Sequence, residues 1–263
     1  MITNFKNRIY FMKLFYTLLA VMASSFYLKA QTLKAEYQIV QDISANVDGK
    51  GDRKITALES VGFLYRKDSR YIYFQKPSYL DQYPSGKIVE NVGTNHNYSI
   101  NLFMDTVQRL NYKDMDSLIK RYRPDMTGKG GIDFNYIQNF EADFYTWEMH
   151  NETKEIQGLK CQKASLTVRG IPQWLVWFTA QVPMQAGIDN IIGIPGLIVE
   201  AESIPLKTRY SLIKYTAGLP IADEIFWPAE FKQPFEKMRD LKKSNNTSAE
   251  KTKLQKLAEL TNQ

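Results

Sequence analysis

Trp174-Leu175-Val176-Trp177-Phe178-Thr179-Ala180-Gln181-Val182-Pro183, and shortly after it Gly193-Ile194-Pro195-Gly196-Leu197-Ile198-Val199-Glu200, is the stretch from which the fold is read. Its first part alternates too tightly for a helix and carries the aromatic and β-branched residues that strands favour. Its last part is a turn feeding a strand. Pro195 supplies the fixed φ wanted at the second position of a type II turn and Gly196 the positive φ wanted at the third. Leu197, Ile198 and Val199 then enter a sheet, and apolar residues at consecutive positions call for cover on both faces.

The same pattern extends in both directions. Tyr37, Ile39 and Ile43 begin it, and Val61, Phe63 and Tyr65 answer Tyr71 and Tyr73 across Lys67-Asp68-Ser69-Arg70, a polar connection suited to a hairpin. Further alternating runs cover 98–102, 143–149, 160–169, 174–180, 197–202 and 209–215. Turn residues punctuate them at Asp48-Gly49, Gly128 to Gly131, Gly170 to Pro172 and Gly218 to Pro220. Strands so spaced describe an antiparallel sheet system in a mainly β chain, not parallel β/α units. Two segments read as helical: Asp116 to Arg123, with Leu118, Ile119 and Tyr122 behind Asp116 and Ser117 as caps, and a tail in which Ser248 precedes Leu254, Leu257, Ala258 and Leu260.

The first 30 residues hold Lys6, Arg8, Lys13 and Lys29 and no acid, with an uncharged run from Leu14 to Leu28. The run is shorter than a bilayer-spanning helix, which needs about 20 residues, and it reads as a secretory signal cleaved between Ala30 and Gln31. Of the 263 residues, 34 are basic and 28 acidic, a net +6; without the leader 30 bases face 28 acids, so the charge gives no case for a nucleic-acid partner. The expected organisation is a signal peptide over 1–30, a β domain over 31–238 and a basic, partly helical tail over 239–263. The product is expected in the periplasm or outside the cell, without a transmembrane anchor.

Catalytic chemistry is not legible. His96 and His150 stand apart with no acid pattern, and the single cysteine, Cys161, excludes an internal disulfide. Gly128-Lys129-Gly130-Gly131 lacks the hydroxyl residue of a phosphate loop. No metal set, cofactor or catalytic residue is assigned, and the chain reads as non-enzymatic. Around Cys161 the parity of the strand conflicts with that of Leu166, and a kink near Lys163 is expected to let both face the core.

Residues 193–198, Gly-Ile-Pro-Gly-Leu-Ile, resemble the name-giving motif of the GLPGLI family of secreted envelope proteins, with Ile194 in place of leucine. The resemblance extends to Trp147, Gly158, Cys161, Ala164, Trp177, Phe178, Thr179, Pro183 and Gly187, which fall in the family's order; Ile188 departs from it, since proline commonly follows the glycine there. The resemblance implies a curved, bowl-like antiparallel half-barrel, similar to those that carry lipids or lipoproteins in the envelope and to a domain found ahead of a secreted glycan-cleaving enzyme. It implies no catalytic residues. An aromatic-lined bowl would suit a lipid, peptide or glycan ligand, although a packed core needs the same aromatics. The alternative is an accessory subunit of an outer-membrane complex, docked through Leu254, Leu257 and Leu260.

Overall fold

Leu33, Ala35, Tyr37 and Ile39 are buried while Lys34, Glu36 and Gln38 between them are not, the period-2 signature of a strand with one face covered. The computed structural model of the chain describes residues 32–46, 53–91, 97–123 and 135–243. The elements are β1 (Thr32–Asn46), β2 (Arg53–Lys67), β3 (Arg70–Pro77), α1 (Tyr79–Gln82), β4 (Lys87–Asn91), β5 (Asn97–Asn101), β6 (Gln108–Asp114) and β7 (Ile119–Arg123). They continue with β8 (Asn135–Asn139), β9 (Trp147–Ile156), β10 (Leu159–Val168), β11 (Ile171–Thr179), β12 (Leu197–Ser203), β13 (Thr208–Ala217) and β14 (Phe235–Lys237). Twelve strands form one curved sheet that does not close, in the order β14-β8-β7-β6-β3-β2-β1-β13-β12-β11-β10-β9. Every pairing is antiparallel except that of β14 on β8. β4 and β5 form a separate ribbon, and Ile88 and Leu102 pack there with Leu58 and Tyr79.

The expected hairpin over 61–73 is present, closing through Asp68 at φ 57° with Lys67 paired to Arg70. The expected helix at 116–123 is not. Asp114 accepts the backbone N–H groups of Asp116 and Ser117 at 3.0 and 3.3 Å, so these two residues form a turn instead of caps. Leu118 then takes φ 54°, outside the helical region, and Ile119 to Arg123 pair with β6 and β8. Tertiary pairing overrides the local spacing, and the α-helix among the described residues is the short α1. The run over 143–149 becomes strand only from Trp147. The predicted tail helix and the turns at 48–49 and 128–131 lie outside the described residues.

Both faces of the sheet are covered in part, as the consecutive apolar residues of β12 require. On the inner face, side chains from β1, β2, β3 and β10 to β13 meet residues 184–194 and Phe140, Phe144 and Trp147 in the main core. On the outer face, residues 219–235 cross β3 and β6 and bury Ile221, Phe226 and Phe231 against Ile72, Leu110 and Tyr112. Among the described residues no helix is long and apolar enough to cross a membrane.

Candidate functional site

Residues 180–196, which join β11 to β12, turn inward and plug the bowl. Met184, Ala186, Ile188, Ile191, Ile192 and Ile194 are all buried in the main core. A buried connection must satisfy its own backbone. Much of this is done within the plug: Gly187 N–H donates to Ile191 O at 3.0 Å, Gly193 N–H to Gln185 O at 2.8 Å and Leu197 N–H to Val182 O at 2.9 Å. Side chains supply the rest. Trp147 Nε1 donates to Ile192 O at 2.8 Å, Tyr37 OH to Ile198 O at 2.9 Å, Arg66 Nη1 to Pro183 O at 2.7 Å and Lys113 Nζ to Gly187 O at 2.8 Å.

The motif residues converge on this plug, but the expected turn does not form. Gly193, not Gly196, has positive φ, at 84°. Gly196 is needed for a different reason: a Cβ there would lie within van der Waals overlap of the Thr179 carbonyl, and 3.0 Å from Phe178. A Cβ on Gly187 would likewise meet Ile198 Cδ1 at 2.6 Å. Ile188, where proline was the pattern, is fully buried at the centre of the plug. Pro195 is exposed, while Leu197, Ile198, Phe178 and Thr179 are buried around the plug's exit. Ala164 is buried beneath it in β10.

Cys161 is fully buried, and burial pushes its thiol above the ordinary range. The β9–β10 register shifts between Gln162 and Ala164, where the kink was expected. Gly158, at φ 76°, serves the β9–β10 turn, away from the plug. Trp177 also lies apart, on the outer face, with Lys154 Nζ 4.3 Å and Lys163 Nζ 6.0 Å from its ring centroid.

At the deep tip of the plug lies a polar network that the sequence reading missed. Asp189, at φ 45°, is 6% exposed and receives Asn111 Nδ2 at 3.3 Å, Tyr210 OH at 3.5 Å and Arg109 Nη1 at 3.6 Å. Arg109 sits at φ 50° where the β3–β6 register shifts, a bulge that aims its side chain at the carboxylate. Two non-glycine residues in the left-handed region facing one another mark a site that the surroundings hold under strain. Tyr73 and Tyr210, joined to Gln75, are held well above the usual phenol range chiefly by burial, to which Tyr210 and then Asp189 add at Tyr73, and Asp189 at Tyr210. Tyr145 is pushed up to about 12 for the same two reasons.

Beside the network, β6 and β7 place Lys113 directly opposite Lys120. Lys113 is fully buried, and desolvation, with Lys120 adding repulsion, holds it well below the usual ammonium range. Lys120 is lowered to about 8, chiefly by desolvation. Its Nζ lies 4.7 Å from the Tyr122 ring centroid, and Tyr122 stacks on Tyr136 at 5.3 Å. The signal for these residues was present but opposite in sense. Asn111 and Lys113 alternate with Leu110 and Tyr112, which reads as polar-outside, whereas here the apolar pair faces the outer cover and the polar pair faces the plug.

Among the described residues, depressions open on the plug's side and on the outer face. Depressions of about 280 and 430 Å³ meet at Met184, Gln185 and Pro195 on one rim. Arg66, which lines the larger of the two, is already bonded to Pro183 O and to Asp68 O. At the other rim a mouth of about 290 Å³ is lined by Phe144, Tyr145, Trp174, Arg169, Gln173 and Asn190, among others. Asn190 Oδ1 is buried and accepts no hydrogen bond among the described residues. On the outer face a shallow dip of about 190 Å³ includes Leu175, Trp177, Glu200 and Glu202.

His96 lies outside the described residues. His150 Nε2 is 2.8 Å from Ser165 Oγ, and Glu148 lies 3.5 Å from that same oxygen. The carboxylate approaches the serine and not the second imidazole nitrogen, so this group is not ordered as a nucleophile–histidine–acid relay.

No protein-family model matches the chain, and no curated protein does. Among solved structures, one of PNGF-II in space group P21 aligns with 80% of the chain at 10% identity and a TM-score of 0.45. The chain spans only 32% of that protein's length. An uncharacterized conserved protein from Thermus thermophilus aligns over 82% of this chain and 99% of its own at 6% identity and a TM-score of 0.38. A DUF1329 family protein from Desulfovibrio piger aligns over 75% and 90% at 9% identity, with a TM-score of 0.25.

Proposed function

We propose that the protein is a non-catalytic binding protein of the cell envelope, exported by its first 30 residues and belonging to the GLPGLI family, which holds a saccharide ring at the mouth beside Asn190. The plug changes where a ligand fits. Tyr37, Tyr71, Tyr73, Trp147, Phe178 and Tyr210 are core residues packed with the plug, so the bowl as a whole is not a ligand cavity. Among the depressions that stay open, the one beside Asn190 is an aromatic-lined mouth with a few polar groups.

The observation that carries this reading is the lining of the mouth, where Tyr145 and Trp174 offer an apolar face to a sugar ring and Arg169, Gln173 and Asn190 offer polar groups to its hydroxyls. A volume near 290 Å³ fits a ring-sized group better than an acyl chain. This makes the mouth a better candidate than the larger rim depression, whose arginine is already engaged. The accessory-subunit alternative placed its contacts at Leu254, Leu257 and Leu260, outside the described residues.

Trp174 provides the readout. Titration of the full chain with N-acetylglucosamine, galactose and maltose oligomers should change tryptophan emission for at least one sugar, with affinity falling at least tenfold in Tyr145→Ala and Asn190→Ala. The absence of any response at millimolar sugar, or equal affinity in Asn190→Ala, would remove the proposal.

A further inference from the structure

The sheet is open, and β9 is one of its two edges: β10 lies on one side of it and, among the described residues, no strand on the other. From Glu148 to Glu155 every residue of β9 except His150 is exposed. β9 turns into β10 through Gln157 and Gly158, at φ 53° and 76°, so Ile156 and Leu159 close the hairpin as a hydrogen-bonded pair. Alternation along β10 then directs Cys161, Lys163 and Ser165 toward β9, while the Lys160 N–H turns the other way, to Gln181 Oε1 at 3.1 Å. Lys154 and Glu148, opposite Cys161 and Ser165, therefore bond inward. Residues 150–152 stand opposite Lys163 alone, an excess of two that preserves the alternation. Met149, Asn151, Thr153 and Glu155 thus turn their backbone N–H and C=O groups to the free edge. The side chains between them share the outer face. Lys154 Nζ lies 4.3 Å and Lys163 Nζ 6.0 Å from the Trp177 ring centroid, Lys163 holds Glu152 at 2.9 Å, and His150 and Glu148 both reach Ser165 Oγ.

We propose that this edge binds a second copy of the chain, β9 running antiparallel to its own copy about a two-fold axis at Asn151. The charges select that occupant and that register. With the axis at Asn151, Glu148 faces the copy's Lys154 and His150 faces the copy's Glu152, and the symmetry repeats each match. Met149 then faces Thr153, so residues whose backbone groups point outward meet one another. A slip of two residues one way sets Glu148 against Glu152, and a slip the other way sets Glu152 against itself and His150 against Lys154. A slip of one pairs outward with inward backbone groups. Charges on an edge strand ordinarily keep other strands away; here they repel the neighbouring registers and admit one. The interface is independent of the saccharide mouth, since no residue of β9 lines it.

Sedimentation equilibrium of the full chain at low salt, from micromolar to millimolar concentration, reads the association. The mass should rise toward twice that of the monomer. Glu148→Lys, which sets lysine against Lys154, should weaken the dimer at least tenfold, and adding Lys154→Glu to it should restore the dimer by exchanging the signs across the axis. Asn151→Cys fixes the register, because only at the axis does a residue meet its own copy. Oxidation should link Asn151→Cys into a dimer and leave Thr153→Cys unlinked, since the two copies of residue 153 would stand four positions apart, about 14 Å and beyond the reach of a disulfide. Cys161, fully buried, does not compete for linkage in folded protein. A monomer at every concentration, a dimer indifferent to Glu148→Lys, or equal linkage at 151 and 153 overturns the proposal, whatever the outcome with sugars.

Discussion

Gly193 and Gly196 stand three residues apart and are required for different physical reasons. Gly193 has room for a side chain, its nearest neighbours lying 3.6 and 3.7 Å from a Cβ, but its backbone is left-handed. Alanine there should lower stability by about 1 kcal/mol, the ordinary cost of that conformation. Gly196 has an unremarkable backbone but no room, because the obstacle is the Thr179 carbonyl and not a flexible side-chain end. Gly196→Ala should therefore cost more, in the range of about 1–3 kcal/mol seen for overpacking or above it. Urea midpoints of the two variants give the comparison; a larger loss at Gly193 would invert the assignment. Trp147 offers a second check on the plug. Trp147→Phe keeps most of the ring but leaves Ile192 O without its donor, which should cost roughly 1–3 kcal/mol. Cys161, fully buried, should react with a maleimide slowly in native protein and quickly in denaturant.

At the scale of elements, the β6–β7 pair sets a distinctive pH response. Lys120 titrates near 8 in the folded chain against an ordinary 10.5, so between these values the unfolded chain binds more protons and stability rises with pH. Above about pH 10 the sign reverses. Tyr37, Tyr73, Tyr145 and Tyr210 keep protons in the fold that the unfolded chain releases, and stability falls. Denaturation midpoints should therefore peak on the alkaline side, and Lys120→Met should be more stable than the parent at pH 7 and flatter from 8 to 10.5. The strands that were legible in the sequence, β1 to β3, β5 and β10 to β13, are those whose runs alternate apolar with polar residues or, as in β11 and β12, are rich in aromatic and β-branched residues. β6 hides its identity because polar residues face a polar plug tip. β7 hides it because Leu118 and Ile119, one in a turn and one in a strand, mimic helical spacing. The Asp189 network was not legible for the same reason: its members come from β6, β13 and the plug, and nothing local links them. The glycines of the motif were identified, but not which one is conformational and which steric, since that depends on where Thr179 lies.

For the molecule as a whole, stability is divided between two faces of one sheet. Phe231 is 1% exposed under the outer cover, packed with Phe235 at 5.5 Å and Trp227 at 5.9 Å. Phe231→Ala should cost about 3–5 kcal/mol. It should also raise the solvent exposure of Ile72 and Tyr112 while leaving Cys161 as slow to label as before; rapid labelling of Cys161 in this variant would show that the two cores are not separate. The position of β1 carries a consequence for how the chain comes together. One of its edges is met by β2, close in sequence, but the other is met by β13, with Leu33 opposite Ala217. Such long-range closure makes folding slow. During synthesis, the first strand of this sheet thus keeps an unpaired edge until nearly the whole sheet has been made. A chain ending at residue 207 should aggregate or remain bound to a chaperone, and adding residues 208–243 as a separate peptide should restore its solubility by supplying the missing edge together with the outer cover.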